Sequence, residues 1–258
     1  MTTYPPWASP PLVLTPSDDE VHVWRASLDQ PAGYRQWLLP TLSHEERTRA
    51  EDFYFVRDRE RFIVGRGVLR SILGAYLGIP PRQLLFQYGY YGKPALHSQH
   101  NPTPLQFNVS HTEGLGMYAV TRRRAVGIDL ERIRPIANLE QLTARRFTRQ
   151  EHAQLCALPS EQRHQGFFRC WTSKEAYVKA RGEGLSLPLD QFVVSVRPDE
   201  PLALLASSEG AHETARWTLH EVVVAPDYVA TVAVEGDGWR LACWQWTGGG
   251  EFQGAKDV

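Results

Sequence analysis

The six residues from 126 to 131, Val-Gly-Ile-Asp-Leu-Glu, constrain the fold of this chain more than any other segment. Apolar residues alternate with Gly127, Asp129 and Glu131, which is the period of a β-strand, so both carboxylates lie on one face. Like charges at that spacing repel, and a divalent cation relieves the repulsion. The pattern predicts a strand over 125–132 with two metal ligands. Gly127 further indicates the close approach of another backbone.

A second segment, from Trp171 to Lys179, supplies a third carboxylate. In the helix that the apolar spacing predicts near 161–181, Glu175 and Lys179 lie one turn apart on the same face. Aromatic residues one and two turns earlier indicate a partly buried carboxylate. We therefore interpret Glu175 as a third magnesium ligand and Lys179 as a phosphate contact.

Each of these segments also has an ordinary explanation. Arg132 or Arg134 would serve as a counter-ion for a solvated strand face. A glutamate followed four residues later by a lysine is the commonest stabilising pair on a helix surface, worth about 0.2–0.5 kcal/mol. The coincidence of both segments in one chain favours the metal site.

Ser110 and His111 follow the predicted strand Leu105–Val109. A serine–histidine pair is typical of nucleophilic catalysis, but adjacent residues on an extended chain point apart, and the chain has no Gly-x-Ser-x-Gly elbow. We interpret both residues as donors to a phosphate oxygen. The alternative for His111 is a histidine whose hydrogen bonds are satisfied inside the fold.

Glu151 belongs to the sequence Thr148-Arg149-Gln150-Glu151, which is a helix capping box. This structural role suffices to explain the residue.

Composition and charge exclude several classes of protein. The 258 residues suffice for one large domain or two smaller ones, and the net charge of −1 argues against a general nucleic-acid binder. There is no secretory signal and no run of eighteen apolar residues, so no membrane span is expected. Three widely spaced cysteines fit a reduced cytoplasmic setting.

The order of predicted elements indicates an α+β fold built as a pseudo-twofold pair of similar α/β subdomains, 1–122 and 123–258, with the site in the cleft between them. The proline-rich residues 1–17 predict an extended arm. The predicted helices are 43–54, 58–77, 138–146, one from Thr148, and 161–181. The predicted strands are 21–28, 84–88, 105–109, 115–121, 125–132, 191–197, 217–225, 228–235 and 239–246.

Several of these segments resemble the 4′-phosphopantetheinyl transferases of the larger, surfactin-synthetase-activating type. The matching segments are Tyr91–Pro94, Phe107–His111, Gly127–Glu131, Trp171–Lys179 and Gly182–Leu189, together with the helix around Arg61–Arg70. Asp-x-Glu alone is a weak signal, but several motifs in the correct order are highly specific.

The resemblance implies transfer of 4′-phosphopantetheine from coenzyme A to a serine of an apo acyl or peptidyl carrier protein. It also implies magnesium dependence and release of adenosine 3′,5′-bisphosphate. By motif, Asp129, Glu131 and Glu175 would hold magnesium, with Glu175 as candidate base beside Lys179 and Asp129. Coenzyme A would contact the residues Arg49, Arg61, Lys93, Ser110, His111 and Lys179.

The resemblance also implies a cytoplasmic monomer that serves fatty-acid, polyketide or nonribosomal-peptide synthesis. Glu46 departs from the family pattern, which has a basic residue there. Two alternatives stay open at this point, a magnesium-dependent phosphohydrolase and a catalytically silent carrier- or nucleotide-binding module.

Overall fold

The computed structural model describes residues 7–11, 13–102 and 104–248. The helices are α1 (Ala32–Leu38), α2 (His44–Glu51), α3 (Val56–Leu77), α4 (Leu139–Arg146), α5 (Arg149–Ala157), α6 (Ser160–Arg181) and α7 (Ala211–Arg216). The strands are β1 (Glu20–Ser27), β2 (Phe86–Tyr88), β3 (Pro94–Leu96), β4 (Leu105–Thr112), β5 (Leu115–Arg122), β6 (Val126–Arg132), β7 (Phe192–Val194), β8 (Leu204–Ser207), β9 (Trp217–Val222), β10 (Tyr228–Glu235) and β11 (Arg240–Gln245).

Two main sheets and two long helices form four layers. One sheet has the strand order β11-β1-β5-β4 and the other β6-β10-β9. Helix α3 packs on the outer face of the first sheet and α6 on the outer face of the second, and each helix has 22 residues. The inner faces of the sheets pack against each other through apolar side chains.

The strand alternation explains this layering. In β5, Met117 and Ala119 face the second sheet, whereas Tyr118 and Val120 face α3. In β6, the apolar residues Val126, Ile128 and Leu130 fill the core between the sheets. The residues between them, Gly127, Asp129 and Glu131, therefore lie on the opposite face, beneath α6.

Helix α6 lies directly on β6 because Gly127 has no side chain. A β-carbon at this position would overlap the carbonyl oxygen of Ala176 and the backbone of Ala180. The close approach that the sequence predicted at Gly127 is confirmed, and it sets the height of α6 above the strand. Buried hydroxyls fix the same helix against β10, where Thr172 Oγ1 lies 3.1 Å from Thr231 Oγ1.

The predicted α+β class is confirmed, and every predicted helix and strand is present. The strand predicted over 228–235 has the predicted ends, and the other elements are shifted at one end or both. The sequence analysis missed four short elements: α1, β3, β8 and α7. The predicted subdomain limit at residue 122 falls between β5 and β6, which belong to different sheets, but β11 returns to the first sheet and pairs in parallel with β1. Residues 1–6 and 12 of the predicted extended arm lie outside the described residues.

None of the helices that the structure describes has the length and apolar character needed to cross a membrane.

Replacing Gly127 with alanine is expected to destabilise the protein by about 1–3 kcal/mol, because the added methyl group overpacks the α6–β6 contact. Urea unfolding measures this loss. The matched control is Gly33→Ala in α1, where an added β-carbon meets no atom within 4 Å. That substitution should be neutral or stabilising, and equal losses for both variants would contradict the contact.

Candidate active site

The outer edge of β6 is covered by side chains rather than by a neighbouring strand. Asn108 Oδ1 of β4 accepts a hydrogen bond from Ile128 N–H at 2.9 Å, and Ser110 Oγ accepts one from Leu130 N–H at 3.2 Å. Both donors are buried backbone groups that would otherwise have no partner. The two sheets therefore meet at this edge without merging, and a cleft opens between them.

Two lysines cover the carbonyl groups of the same edge. Lys93 Nζ donates to Val126 O at 3.1 Å and to Ala180 O at 3.0 Å, so it links the first half to both β6 and the end of α6. Lys179 Nζ donates to Ile128 O at 3.3 Å. Burial lowers the pKa of Lys93 to about 8, while the two carbonyl oxygens favour its charged form.

Asp129 is the most constrained of the predicted metal ligands. It is buried, and its Oδ1 accepts hydrogen bonds from Lys179 Nζ at 2.6 Å and Ser110 Oγ at 3.0 Å. The other oxygen, Oδ2, is buried without a hydrogen-bond partner in the described part of the chain. A buried carboxylate oxygen is costly to leave unpaired, so the chemistry of this atom fits coordination to a cation.

Glu131 and Glu175 lie close enough to Asp129 for its negative charge to raise their pKa values. Burial and the neighbouring Asp129 carboxylate raise the pKa of Glu131, against a hydrogen bond from Arg134. Burial and Asp129 likewise raise the pKa of Glu175, with Lys179 opposing and Glu131 adding to the shift. Among residues 7–11, 13–102 and 104–248, however, no three acidic, histidine or cysteine side chains form a ready metal cluster.

The two arginines that follow Glu131 have different partners. Arg134 Nη1 lies 3.4 Å from Glu131 Oε2, and its guanidinium stands over the ring of Phe168 at 5.5 Å. Arg132 instead pairs with Glu113 at 2.5 Å on the opposite side of the strand. Of the two arginines that the sequence analysis considered as counter-ions, Arg134 is therefore the one that pairs with Glu131.

The sequence predicts that three further residues of the first half, His111, Arg61 and Arg49, contact coenzyme A. His111 is exposed, and desolvation together with the charges of Lys179 and Arg61 lowers the pKa of its imidazole. Arg61 forms a two-point ion pair with Asp29, at 2.6 and 2.8 Å. The Arg49 guanidinium lies on the ring of Phe62 at 5.5 Å.

A small cavity of about 240 Å³ continues this cleft. It is lined from the first half by Lys93 and Asn108, and from the second by Val178, Lys179 and Gly182. Both halves therefore contribute to one concave surface.

Glu46, where the sequence departs from the family, has a structural role. Its carboxylate completes the capping box of α2 with Ser43 and pairs with Arg66 and Arg70 of α3. Burial opposes the ionisation of Glu46, but the hydrogen bond from Arg70 and the two guanidinium charges lower its pKa below the usual range. The residue joins α2 to α3 and does not face the cleft.

Glu151 caps α5 as predicted and also forms a fully buried ion pair. Its carboxylate lies 2.8 Å from Lys174 Nζ, and neither side chain is exposed. Lys174 further donates to the carbonyl oxygens of Leu189 at 2.7 Å and Phe192 at 2.6 Å. Lys174, the neighbour of Glu175, therefore holds α6 to the loop beyond it.

Sequence reasoning did not find Asn108 as an edge cap or Lys174 as a buried structural cation. The position of Asn108 in the strand before Ser110 was the only available signal, since residues two apart share a face.

Comparison with known proteins identifies the same segments. Residues 125–233 match the 4′-phosphopantetheinyl transferase superfamily, and residues 24–122 match the N-terminal region of 4′-phosphopantetheinyl transferases. The 4′-phosphopantetheinyl transferase HetI of Nostoc sp. is 44% identical over 93% of this chain and 98% of its own length. The transferase Sfp of Bacillus subtilis is 29% identical over 65% of this chain and 72% of its own length.

Replacing Glu151 with glutamine is expected to cost about 3–5 kcal/mol, because it leaves the Lys174 ammonium buried without a counter-charge. Chemical denaturation gives the free energy of unfolding. Adding Lys174→Met should restore much of the loss, since it removes the unpaired charge. The control is Glu140→Gln, which breaks an exposed pair with Arg163 and should cost about 1 kcal/mol or less.

Proposed function

Because this chain belongs to the 4′-phosphopantetheinyl transferase family, we propose that Asp129, Glu131 and Glu175 hold the magnesium ion of its reaction. The chain transfers the 4′-phosphopantetheine group from coenzyme A to a serine of a carrier protein. We place coenzyme A in the cleft between β4 and α6.

The unpaired Oδ2 of Asp129 carries this proposal. An oxygen atom buried without a donor suits a hard cation. The two further carboxylates, whose pKa values are raised by burial and by Asp129, add the negative charge that a divalent ion needs. Bound there, magnesium would neutralise the pyrophosphate oxygens of coenzyme A as charge grows on them.

Lys179 lies where its ammonium group would also stabilise the negative charge that grows on the pyrophosphate oxygens. It is held by Asp129, Ser110 and the Ile128 carbonyl, so its ammonium group is fixed before substrate arrives. A preorganised cation beside a phosphoryl group lowers the barrier without reorganising during the reaction. Ser110 orients both Lys179 and Asp129 and is buried, so its role is to position them.

Glu175 is the candidate general base. The acceptor serine must lose a proton as its hydroxyl attacks the β-phosphate, and a carboxylate whose pKa is raised by burial and by Asp129 accepts a proton more readily than an ordinary glutamate. Glu175 takes that proton directly or through one water.

We assign the rest of coenzyme A to the first half. His111 and Arg49 are exposed toward solvent, and Arg61 lies between Asp29 and the His111 side of the cleft. Lys93 keeps the two halves together through its carbonyl contacts, so it would bind substrate from a fixed position.

The proposal includes a cytoplasmic monomer without a nucleic-acid or membrane ligand. One chain supplies both walls of the cleft, and all three cysteines are free thiols, as a reducing compartment favours. The phosphohydrolase alternative has no support among the relatives. The discriminating assay is mass spectrometry of an apo carrier incubated with coenzyme A: a transferase adds phosphopantetheine to the carrier, whereas a hydrolase releases it without an acceptor.

Glu175→Gln is expected to lower the rate of transfer by at least about 100-fold, because it removes both the base and one metal ligand. Transfer of labelled phosphopantetheine to a carrier protein measures the rate. The control on the same helix is Glu161→Gln, an exposed site away from the cleft. The assignment is wrong if Glu175→Gln retains the wild-type rate while remaining folded.

Removing magnesium with excess EDTA is expected to abolish transfer, and adding magnesium back should restore it. A calorimetric titration of the apo protein with magnesium in the presence of coenzyme A provides a second readout that does not depend on turnover. Asp129→Asn should weaken that binding. Undiminished transfer in EDTA would exclude the carboxylate site as the metal centre.

A further inference from the structure

The guanidinium group of Arg181 joins the end of α6 both to α7 and to the loop that follows α6. Its side chain is largely buried, with 12% of its surface exposed. Nη1 lies 2.8 Å from Glu209 Oε1, 2.8 Å from Glu213 Oε1 and 2.9 Å from Tyr177 OH. Nε donates to Glu183 Oε1 at 2.7 Å, and Nη2 contacts the same oxygen. Both edges of the planar group are therefore occupied.

The contact with Glu213 fixes the guanidinium from the protein core. Glu213 is buried in α7 and also accepts hydrogen bonds from Tyr177 OH at 2.8 Å and from Trp217 Nε1 at 2.7 Å. Burial opposes the ionisation of Glu213, but these two hydrogen bonds and the charge of Arg181 lower its pKa. The ionised carboxylate therefore holds Arg181 through a charge-assisted hydrogen bond.

The partner on the other edge, Glu183, belongs to the segment Gly182-Glu183-Gly184, which we call the glycine loop. Both glycines have positive φ angles, 75° at Gly182 and 56° at Gly184, and both line the cavity of about 240 Å³ in the cleft. The carboxylate of Glu183 is bound to Arg181, and its carbonyl oxygen accepts a hydrogen bond from Ser186 Oγ at 2.6 Å. The glycine loop is thus held at its middle residue while its two glycines form part of the cavity wall.

The glycine loop closes the cavity against the first half of the chain. A β-carbon at Gly184 would lie 3.4 Å from Tyr91 Cβ, and one at Gly182 would lie 3.3 Å from Lys93 Cδ. Tyr91 and Lys93 line the same cavity. Because this packing is already close, the loop has no room to move inward. Loss of its link to α6 would instead let the loop move outward and widen the cavity.

We propose that Arg181 is a positioning residue for the transfer reaction, because it holds Glu183 and thereby sets the wall of the cleft that receives coenzyme A. This inference rests on the proposed function. Lys179 is fixed separately, by Asp129 and Ser110. Loss of the contact between Arg181 and Glu183 should therefore weaken the binding of coenzyme A and leave the chemical step almost unchanged.

The test replaces, one at a time, two glutamates that share this guanidinium. Glu183→Gln should raise the KM for coenzyme A about three- to fivefold and change kcat by less than about twofold. Circular dichroism checks that each variant is folded.

The matched control is Glu209→Gln, which removes the same charge from the same guanidinium. The side chains of Glu183 and Glu209 are 34% and 46% exposed. Glu209 belongs to the turn between β8 and α7, which contributes no residue to the described lining of the cavity. This substitution should leave kcat and the KM for coenzyme A near their wild-type values.

A double-mutant cycle tests whether Arg181 acts through Glu183. Arg181→Lys keeps the positive charge but lacks the planar fork, so it should raise the KM for coenzyme A to a similar extent. Combined with Glu183→Gln it should add little, because both changes break the same contact. Calorimetric titration with coenzyme A gives the same comparison without turnover.

Three results would overturn the positioning role: equal KM values for coenzyme A in Glu183→Gln and Glu209→Gln, a loss confined to kcat, or fully additive effects in the double-mutant cycle. Wild-type turnover separates this inference from the proposed function. A wild-type protein that binds coenzyme A but modifies no carrier protein refutes the function itself. Normal transfer with an unaltered KM in Glu183→Gln refutes only the role of Arg181.

Discussion

The contact of α6 with β6 at Gly127 is the constraint on which the rest of the molecule depends. Without a side chain there, the helix backbone rests on the strand, and the next residues along each element come together. Asp129 then meets Lys179 at 2.6 Å, and Glu175 comes within reach of the Asp129 charge. A side chain at position 127 would move α6 away from β6 and separate Asp129 from Lys179 and Glu175. The neighbouring residues could not compensate for this movement, because protein interiors are packed as densely as organic crystals.

The uncovered edge of β6 creates the cleft. Two main sheets that end side by side would usually pair into one larger sheet, since an exposed edge invites a further strand. Here Asn108, Ser110, Lys93 and Lys179 satisfy that edge with side chains. The same four residues line or border the cleft, so the groups that cap the strand edge also form the surface between the two halves.

Period and local chemistry made the central part of this fold predictable. The alternation around Asp129 predicted the strand and the face on which the carboxylates lie. Gly127 predicted the close contact with the helix, and the capping box at Thr148 predicted the start of α5. The parallel pairing of β1 with β11 was not predictable, because it joins segments about 220 residues apart and leaves no local pattern. The buried role of Lys174 was hidden for the same reason, since Glu151 reaches it only through tertiary packing.

The most direct measurement of the central claim is anomalous diffraction from crystals grown with manganese and coenzyme A. The account predicts one ion between β6 and α6, coordinated by carboxylate oxygens of Asp129, Glu131 and Glu175 at about 2.0–2.3 Å, together with oxygens of the pyrophosphate. Because the three side chains are not yet gathered into a cluster in this structure, their convergence on binding would be the decisive observation. An ion bound elsewhere, or one that leaves Asp129 paired only with Lys179, would contradict the account.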